Sequence, residues 1–93
     1  PAKEAIAKRF GATDFIDGSR LTGEGELVAA VKDLGLPNGV DHAFECVGHP
    51  ALIRHAVDML DWGGQCILLG VPKMGTEASF VVSTLYNDKS ILG

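Results

Sequence analysis

Apolar residues are concentrated in two short runs, and each run ends at a glycine. The first run covers residues 40–47, is interrupted by a few polar residues such as Glu45, and is followed by Gly48. The second run covers residues 66–69, has no alternation with polar residues, and is followed by Gly70. Strands of a parallel sheet have such runs because helices cover both faces of the sheet. The pattern therefore predicts two buried parallel strands.

The segment between the two runs has the spacing of a helix. Pro50 suits the first helical position, and Gly63 and Gly64 are expected to end the helix. The apolar residues that recur at three- and four-residue spacing are Leu52, Ile53, Ala56, Val57 and Leu60. A strand, a helix and a second strand over roughly thirty residues predict a right-handed βαβ unit.

The residues before this unit predict another one. Residues 2–10 have a short helical pattern, and residues 14–16 are predicted as a short strand. Residues 17–25 are polar and predict a loop, and residues 27–34 again have helical spacing. The short strand, this helix and the first apolar run would together form a second βαβ unit.

After the second apolar run, the pattern is weaker. Residues 73–76 predict a loop, residues 78–82 favour no single element, and residues 89–93 predict the start of a further strand. The whole chain is therefore predicted to belong to the α/β class, with a parallel sheet flanked by helices.

The composition is that of one small globular domain, with 93 residues, 46% hydrophobic and 22% charged. The net charge is −4 and the eight lysine and arginine residues are scattered, whereas nucleic-acid binding needs clustered positive charge. No apolar run reaches bilayer length and no signal peptide opens the chain, so we expect no membrane contact. Cys46 and Cys66 lie in predicted buried strands, which favours free thiols and a cytoplasmic location.

Ligands of open α/β sheets bind beside the carboxyl ends of the strands, where backbone amides and helix N-termini point. In this chain those ends are Asp17, residues 46–49 and residues 69–72. Gly48 and Gly70 either let a flat ligand approach the backbone closely or simply turn the chain. The residues alone leave both interpretations open.

The chain contains, in this order, FGATDFID, GVDHAFECVG, GGQCILLGVP and KSILG. This combination, which covers nearly the whole chain, resembles the coenzyme domain of the medium-chain, zinc-type alcohol dehydrogenases. The resemblance implies a Rossmann fold, in which this chain supplies strands 3 to 6 of a doubly wound sheet. It also implies a cytoplasmic homo-oligomer that transfers hydride between a small-molecule alcohol or aldehyde and NAD or NADP.

The resemblance implies that residues 1–93 are only part of that coenzyme domain. The family's G-x-G-x-x-G phosphate turn has no counterpart in these residues, and its zinc ligands lie in a separate catalytic domain. We therefore expect these 93 residues to be inactive alone and to contain no catalytic residue. Cys46 and His49 have C-x-x-H spacing, but two ligands are too few for zinc, so no metal site is predicted here.

The resemblance assigns residues to one wall of a coenzyme cleft. By position, these residues are Lys3, Cys46, Val47, His49, Leu69, Gly70 and Val71. The lysine is similar to a family lysine near the adenosine ribose, and the next three residues resemble the loop beside the adenine and ribose. The last three resemble the strand end against the nicotinamide carboxamide. His49 stands where family members often carry arginine.

Two other functions remain open at this point. One is a zinc-free, quinone reductase-type member of the same superfamily, and the other is a standalone α/β binding module without catalysis. The family's strand order also separates residues 14–16 from residues 40–46 by two missing strands. The chain is then a segment of a longer enzyme, or its first strand pairs with the next one, or two copies exchange strands. A dimer through residues 78–82 is a further hypothesis.

Overall fold

The computed structural model describes residues 2–21, 23 and 25–93. The described residues form three α-helices, three strands and two short 3-10 turns, Gly18–Arg20 and Val82–Leu85. In chain order the elements are α1 (Glu4–Arg9), α2 (Glu26–Lys32), β1 (Val40–Glu45), α3 (Pro50–Asp58), β2 (Leu60–Leu68) and β3 (Ser90–Leu92). None of the described helices has the length and apolar character needed to cross a bilayer.

The strands form one parallel sheet in the order β1-β2-β3. The βαβ unit β1-α3-β2 and the final strand β3 are confirmed, as is the helix predicted after the polar loop. The predicted fold class, a partial parallel sheet flanked by helices, is therefore confirmed.

The start of β2 differs from the prediction. α3 ends at Asp58 and β2 begins at Leu60, so Gly63 and Gly64 lie inside the strand and do not end the helix. Leu60 pairs with Val40 and Gln65 pairs with His42, so residues 61–64 lie opposite a single residue of β1. Gly64 is buried at this irregularity, and a Cβ on it would lie 2.8 Å from the carbonyl oxygen of Asp61. Glycines in strands often mark such bulges and close backbone approaches.

The core lies between the sheet and α3. Val57 of α3 and Cys66 of β2 are fully buried, and both belong to one cluster of apolar residues. The residues of this core and its border are Val40, Ala43, Ala56, Val57, Met59, Leu60, Cys66, Leu68, Leu85 and Ile91. Because Leu85 of the second 3-10 turn packs here too, both connections between strands cover the same face of the sheet.

The other face of the sheet is largely bare. Side chains alternate between faces along a strand, so Phe44, Ile67 and Leu92 point away from the core and form a row across the three strands. Phe44 is 61% exposed and Leu92 is 44% exposed. A row of apolar residues is therefore open to solvent in this chain.

The strand predicted at residues 14–16 is wrong. This segment has no regular secondary structure, and the sheet has three strands instead of the four implied by strands 3 to 6. A strand forms only beside a hydrogen-bonding partner. β1 is an edge strand in this sheet, so among the described residues the segment did not pair with it. The second predicted βαβ unit is consequently absent from the described part of the chain.

Candidate functional site

The carboxyl ends of β1 and β2 lie side by side and form the candidate site, which we call the rim (residues 45–49 and 69–72). Glu45 pairs with Leu68, and the carbonyl oxygen of Glu45 accepts hydrogen bonds from the backbone N–H groups of Leu69 and Gly70, both at 2.9 Å. The two glycines that end the apolar runs are in close contact, because a Cβ added to Gly70 would meet the nitrogen of Gly48. A Cβ added to Gly48 would lie 2.9 Å from the nitrogen of Pro72. The two strand ends therefore meet at one edge of the sheet, as the sequence predicted.

Glu45 is the buried acidic residue of the rim, with 5% of its surface exposed. Its Oε1 accepts hydrogen bonds from the backbone N–H groups of Val47 at 3.0 Å and Gly48 at 2.7 Å, and its Oε2 accepts one from His49 at 3.2 Å. Hydrogen bonds to a charged acceptor are stronger than neutral ones and offset the cost of burying the carboxylate. The loop after β1 is thus folded around this side chain.

The same carboxylate fills the position where an anion would otherwise bind. Consecutive backbone N–H groups before a helix are a common phosphate site. At this rim, the N–H groups of Val47, Gly48 and His49 already bind Glu45. A ligand phosphate would have to displace that side chain, so the end of β1 is not a phosphate turn.

His49 begins α3 as its N-cap. Its backbone is extended, with φ −96° and ψ 130°, and its Nδ1 accepts a hydrogen bond from the backbone N–H of Ala51 at 3.1 Å. Pro50 follows at the first helical position, as predicted. The imidazole of His49 is therefore held at the start of α3, and it is exposed beside the rim.

Apolar side chains line the open part of the rim. Val47 is 69% exposed, Leu69 is 61% exposed and Val71 is 91% exposed. A groove of about 310 Å³ runs from this rim along β1, with Phe44 and Leu52 among its lining residues. The rim thus offers apolar surface, which suits a flat ligand, while Gly48 and Gly70 are needed for the close packing of the two strand ends.

The zinc-binding dehydrogenase family model matches residues 1–93, the full length of the chain. The chain belongs to the zinc-binding dehydrogenase family. Alcohol dehydrogenase-like 5 of Arabidopsis thaliana is 36% identical over 94 residues, a match that covers 100% of this chain and 24% of that protein. Probable S-(hydroxymethyl)glutathione dehydrogenase 1 of Schizosaccharomyces pombe is 34% identical, with 98% and 23% covered.

Solved structures of zinc-binding dehydrogenases have the same fold. Benzyl alcohol dehydrogenase from Acinetobacter calcoaceticus superposes with a TM-score of 0.87 at 34% identity, covering 99% of this chain and 24% of that one. A zinc-binding dehydrogenase from Sinorhizobium meliloti bound to NADP has a TM-score of 0.86 at 27% identity, with 99% and 27% covered. The chain spans about a quarter of the length of these relatives.

The structure brings together six of the residues that the resemblance to these dehydrogenases assigned to the cleft, and the seventh, Lys3, is on a different element. Lys3 is exposed just before α1, and among the described residues no hydrogen bond joins α1 to the rim. Within that part of the chain, no group of three or more histidine, cysteine or acidic residues is placed to hold a metal. The remaining assigned residues follow the ends of β1 and β2, namely Cys46, Val47, His49, Leu69, Gly70 and Val71.

The prediction that Cys46 lies buried within a strand is wrong. β1 ends at Glu45, two residues before the end of the predicted run at Val47, and the carboxylate of Glu45 binds the backbone N–H groups of the loop that follows. Cys46 is exposed, whereas Cys66 is fully buried, and both thiols are free. Burial raises the pKa of the Cys66 thiol, and the negative charge of Glu45 raises it further.

We expect the two thiols to differ sharply in alkylation. With iodoacetamide at about pH 8, Cys46 should react at the rate of an exposed thiol and Cys66 should react only after unfolding. Mass spectrometry of the labelled peptides measures this difference. Label on Cys66 in the native state of a Cys46→Ser variant would contradict it.

The raised pKa of Cys66 also affects stability. The thiol of Cys66 loses its proton at a lower pH in the unfolded state than in the folded state, so the free energy of unfolding should fall as the pH rises above about 8.5.

Proposed function

We propose that residues 1–93 are part of the NAD(P)-binding Rossmann domain of a dehydrogenase that acts on a small-molecule alcohol or aldehyde. The observation that carries this proposal is the contact between the glycine-bearing ends of β1 and β2, at the edge of the sheet where ligands of such folds bind. The names of the relatives support the reaction class. A homo-oligomer and a cytoplasmic location belong to the same proposal, and the free thiols support a reducing compartment.

Incomplete surfaces support the view that these residues work within a longer polypeptide. No strand of the described residues pairs with the outer edge of β1, and a groove near that edge is lined by Leu27 and Phe44. The bare face of the sheet is apolar, α1 has no buried residue, and Phe10, the C-cap of α1, is 85% exposed. Unpaired edges and exposed apolar faces of this kind are normally covered in a folded protein. Further strands and helices of the same domain would cover them.

The rim fits one side of a nicotinamide coenzyme. When bound, NAD or NADP supplies the hydride acceptor or donor of the reaction. The exposed side chains of Val47, Leu69 and Val71 would pack against its rings, and backbone groups next to Gly70 would hold its carboxamide. Cys46 and His49 would supply polar contacts, and Lys3 would approach the ribose once the rest of the domain positions α1.

The phosphates and any zinc ion belong elsewhere in the proposed enzyme. The backbone N–H groups after β1 are occupied by Glu45, so the pyrophosphate would bind at another turn. His49 uses Nδ1 to cap α3, and Cys46 with His49 is too small a ligand set for zinc. The role of these residues is therefore to orient the coenzyme, and the proton and hydride steps take place on groups outside the chain.

Coenzyme titration of the full-length polypeptide that contains these residues tests the proposal. We expect NADH or NADPH to bind saturably, with a Kd between about 1 μM and 1 mM. The measurement is coenzyme fluorescence, with the unfolded polypeptide as a control. Absence of binding by both coenzymes would contradict the proposal. Alcohol oxidation that a chelator abolishes would indicate the zinc-type enzyme, and activity that survives the chelator would indicate the zinc-free, quinone reductase-type alternative.

A further inference from the structure

We propose that Glu45 is a positioning residue for coenzyme binding, which acts by holding both halves of the rim in one shape. This inference rests on the proposed function. The side chain binds the loop after β1 and the backbone carbonyl binds the loop after β2, so a single residue joins the two segments. Glu45 is buried, and its carboxylate and its carbonyl oxygen both accept hydrogen bonds from backbone N–H groups.

The geometry explains why a carboxylate is needed at this position. Oε1 accepts from two N–H groups and Oε2 accepts from a third, so both oxygens must be acceptors at the same time. No ion pair of the described residues includes Glu45, which leaves these backbone groups as the partners of its charge. A glutamine has the same shape but only one acceptor oxygen, so it would place an NH₂ group against at least one backbone N–H.

The loop after β1 carries side chains that would contact the coenzyme. Val47 and His49 are both held through their backbone N–H groups, and their side chains are exposed beside Leu69. If the loop loses these bonds, the exposed side chains take several positions, and the coenzyme must select one of them. Ordering a loop on binding lowers affinity without changing the reacting groups. We therefore expect an effect on coenzyme affinity and little effect on the rate at saturating coenzyme.

The experiment compares Glu45→Gln and Glu45→Ala in the full-length polypeptide. We expect the Kd for the coenzyme that the wild type binds to rise about 3- to 10-fold for Glu45→Gln and about 30-fold for Glu45→Ala. The turnover number at saturating coenzyme should change less than about threefold. The matched control is Val57→Ala, which removes fully buried atoms from the core away from the rim. It should lower stability while leaving the coenzyme Kd within about twofold of wild type.

The outcomes separate this inference from the proposed function. A wild type that binds neither NADH nor NADPH would overturn the proposed function and this inference with it. A wild type that binds while Glu45→Ala binds equally well would overturn only the role of Glu45. An equal rise in Kd for Val57→Ala and Glu45→Ala would also overturn it, because general loss of stability would then explain the effect. Glu45→Gln keeps the shape of the side chain and supplies the test if Glu45→Ala does not fold.

Discussion

Substitution of Gly70 by alanine should weaken coenzyme binding by the full-length polypeptide about 100-fold. A Cβ on Gly70 would lie 2.6 Å from the carbonyl carbon of Val47 and 2.7 Å from its nitrogen, and it would also meet the nitrogen of Gly48. These are backbone atoms, which cannot rotate away as a flexible side chain would. The loops after β1 and β2 must therefore separate, and the coenzyme loses the wall that both of them form.

The control for Gly70→Ala is the same substitution at Gly18. A Cβ at Gly18 would meet nothing within 4 Å, and neither glycine has a positive φ, so the two variants differ in the contacts of the new methyl group. Coenzyme fluorescence titration of both variants measures the difference. We expect Gly18→Ala to bind like the wild type. If Gly70→Ala binds the coenzyme as tightly as the wild type does, the two strand ends do not act together in the site.

The meeting of the two strand ends that form the candidate site could be predicted from the sequence because two local signals agree. Continuous apolar runs predict buried parallel strands, and the helical spacing between them predicts the crossover that makes them neighbours. Gly48 and Gly70 then follow the ends of neighbouring strands and must lie at the same edge. The contact between them confirms this reasoning.

The role of Glu45 was not predicted, because its hydrogen-bond donors come from residues that fold back around it. In the sequence it is one of the polar interruptions of an apolar run. A usable signal was present, since an acidic residue inside a buried strand requires donors and Gly48 follows it by three positions. Cys46 was misplaced for the same reason, because the end of β1 depends on the hydrogen bonds of Glu45 and not on the local apolar pattern.

The strand prediction at residues 14–16 was wrong for a different reason. Phe15 and Ile16 are suitable strand residues and are half-buried. Sequence pattern reports the tendency of a segment to form a strand, but pairing depends on what lies beside it. The outer edge of β1 has no strand partner among the described residues. We expect this segment to become a strand when the neighbouring strands of a complete sheet are present.

Substitution of Gly39 by alanine should lower the free energy of unfolding by about 3 kcal/mol or more. Gly39 is buried immediately before β1 with φ +114°, a conformation that alanine rarely adopts. Its Cβ would lie 2.8 Å from both the nitrogen of Asp61 and the carbonyl carbon of Leu60, and it would meet the carbonyl oxygen of Met59. That oxygen accepts the hydrogen bond from the N–H of Val40, which joins the starts of β1 and β2.

Gly75→Ala separates the two causes of the loss expected for Gly39→Ala. Gly75 also has a positive φ, +83°, but a Cβ there would meet nothing within 4 Å, so this variant carries the backbone strain without the clash. We expect it to cost about 1 to 2 kcal/mol. Urea unfolding of the two variants beside the wild type, in the full-length polypeptide, measures the difference. If both variants lose the same stability, backbone strain alone explains the effect and the close approach of β1 and β2 at Gly39 contributes nothing. A larger loss for Gly39→Ala means that the parallel pairing beneath the rim depends on the absence of a side chain at this position.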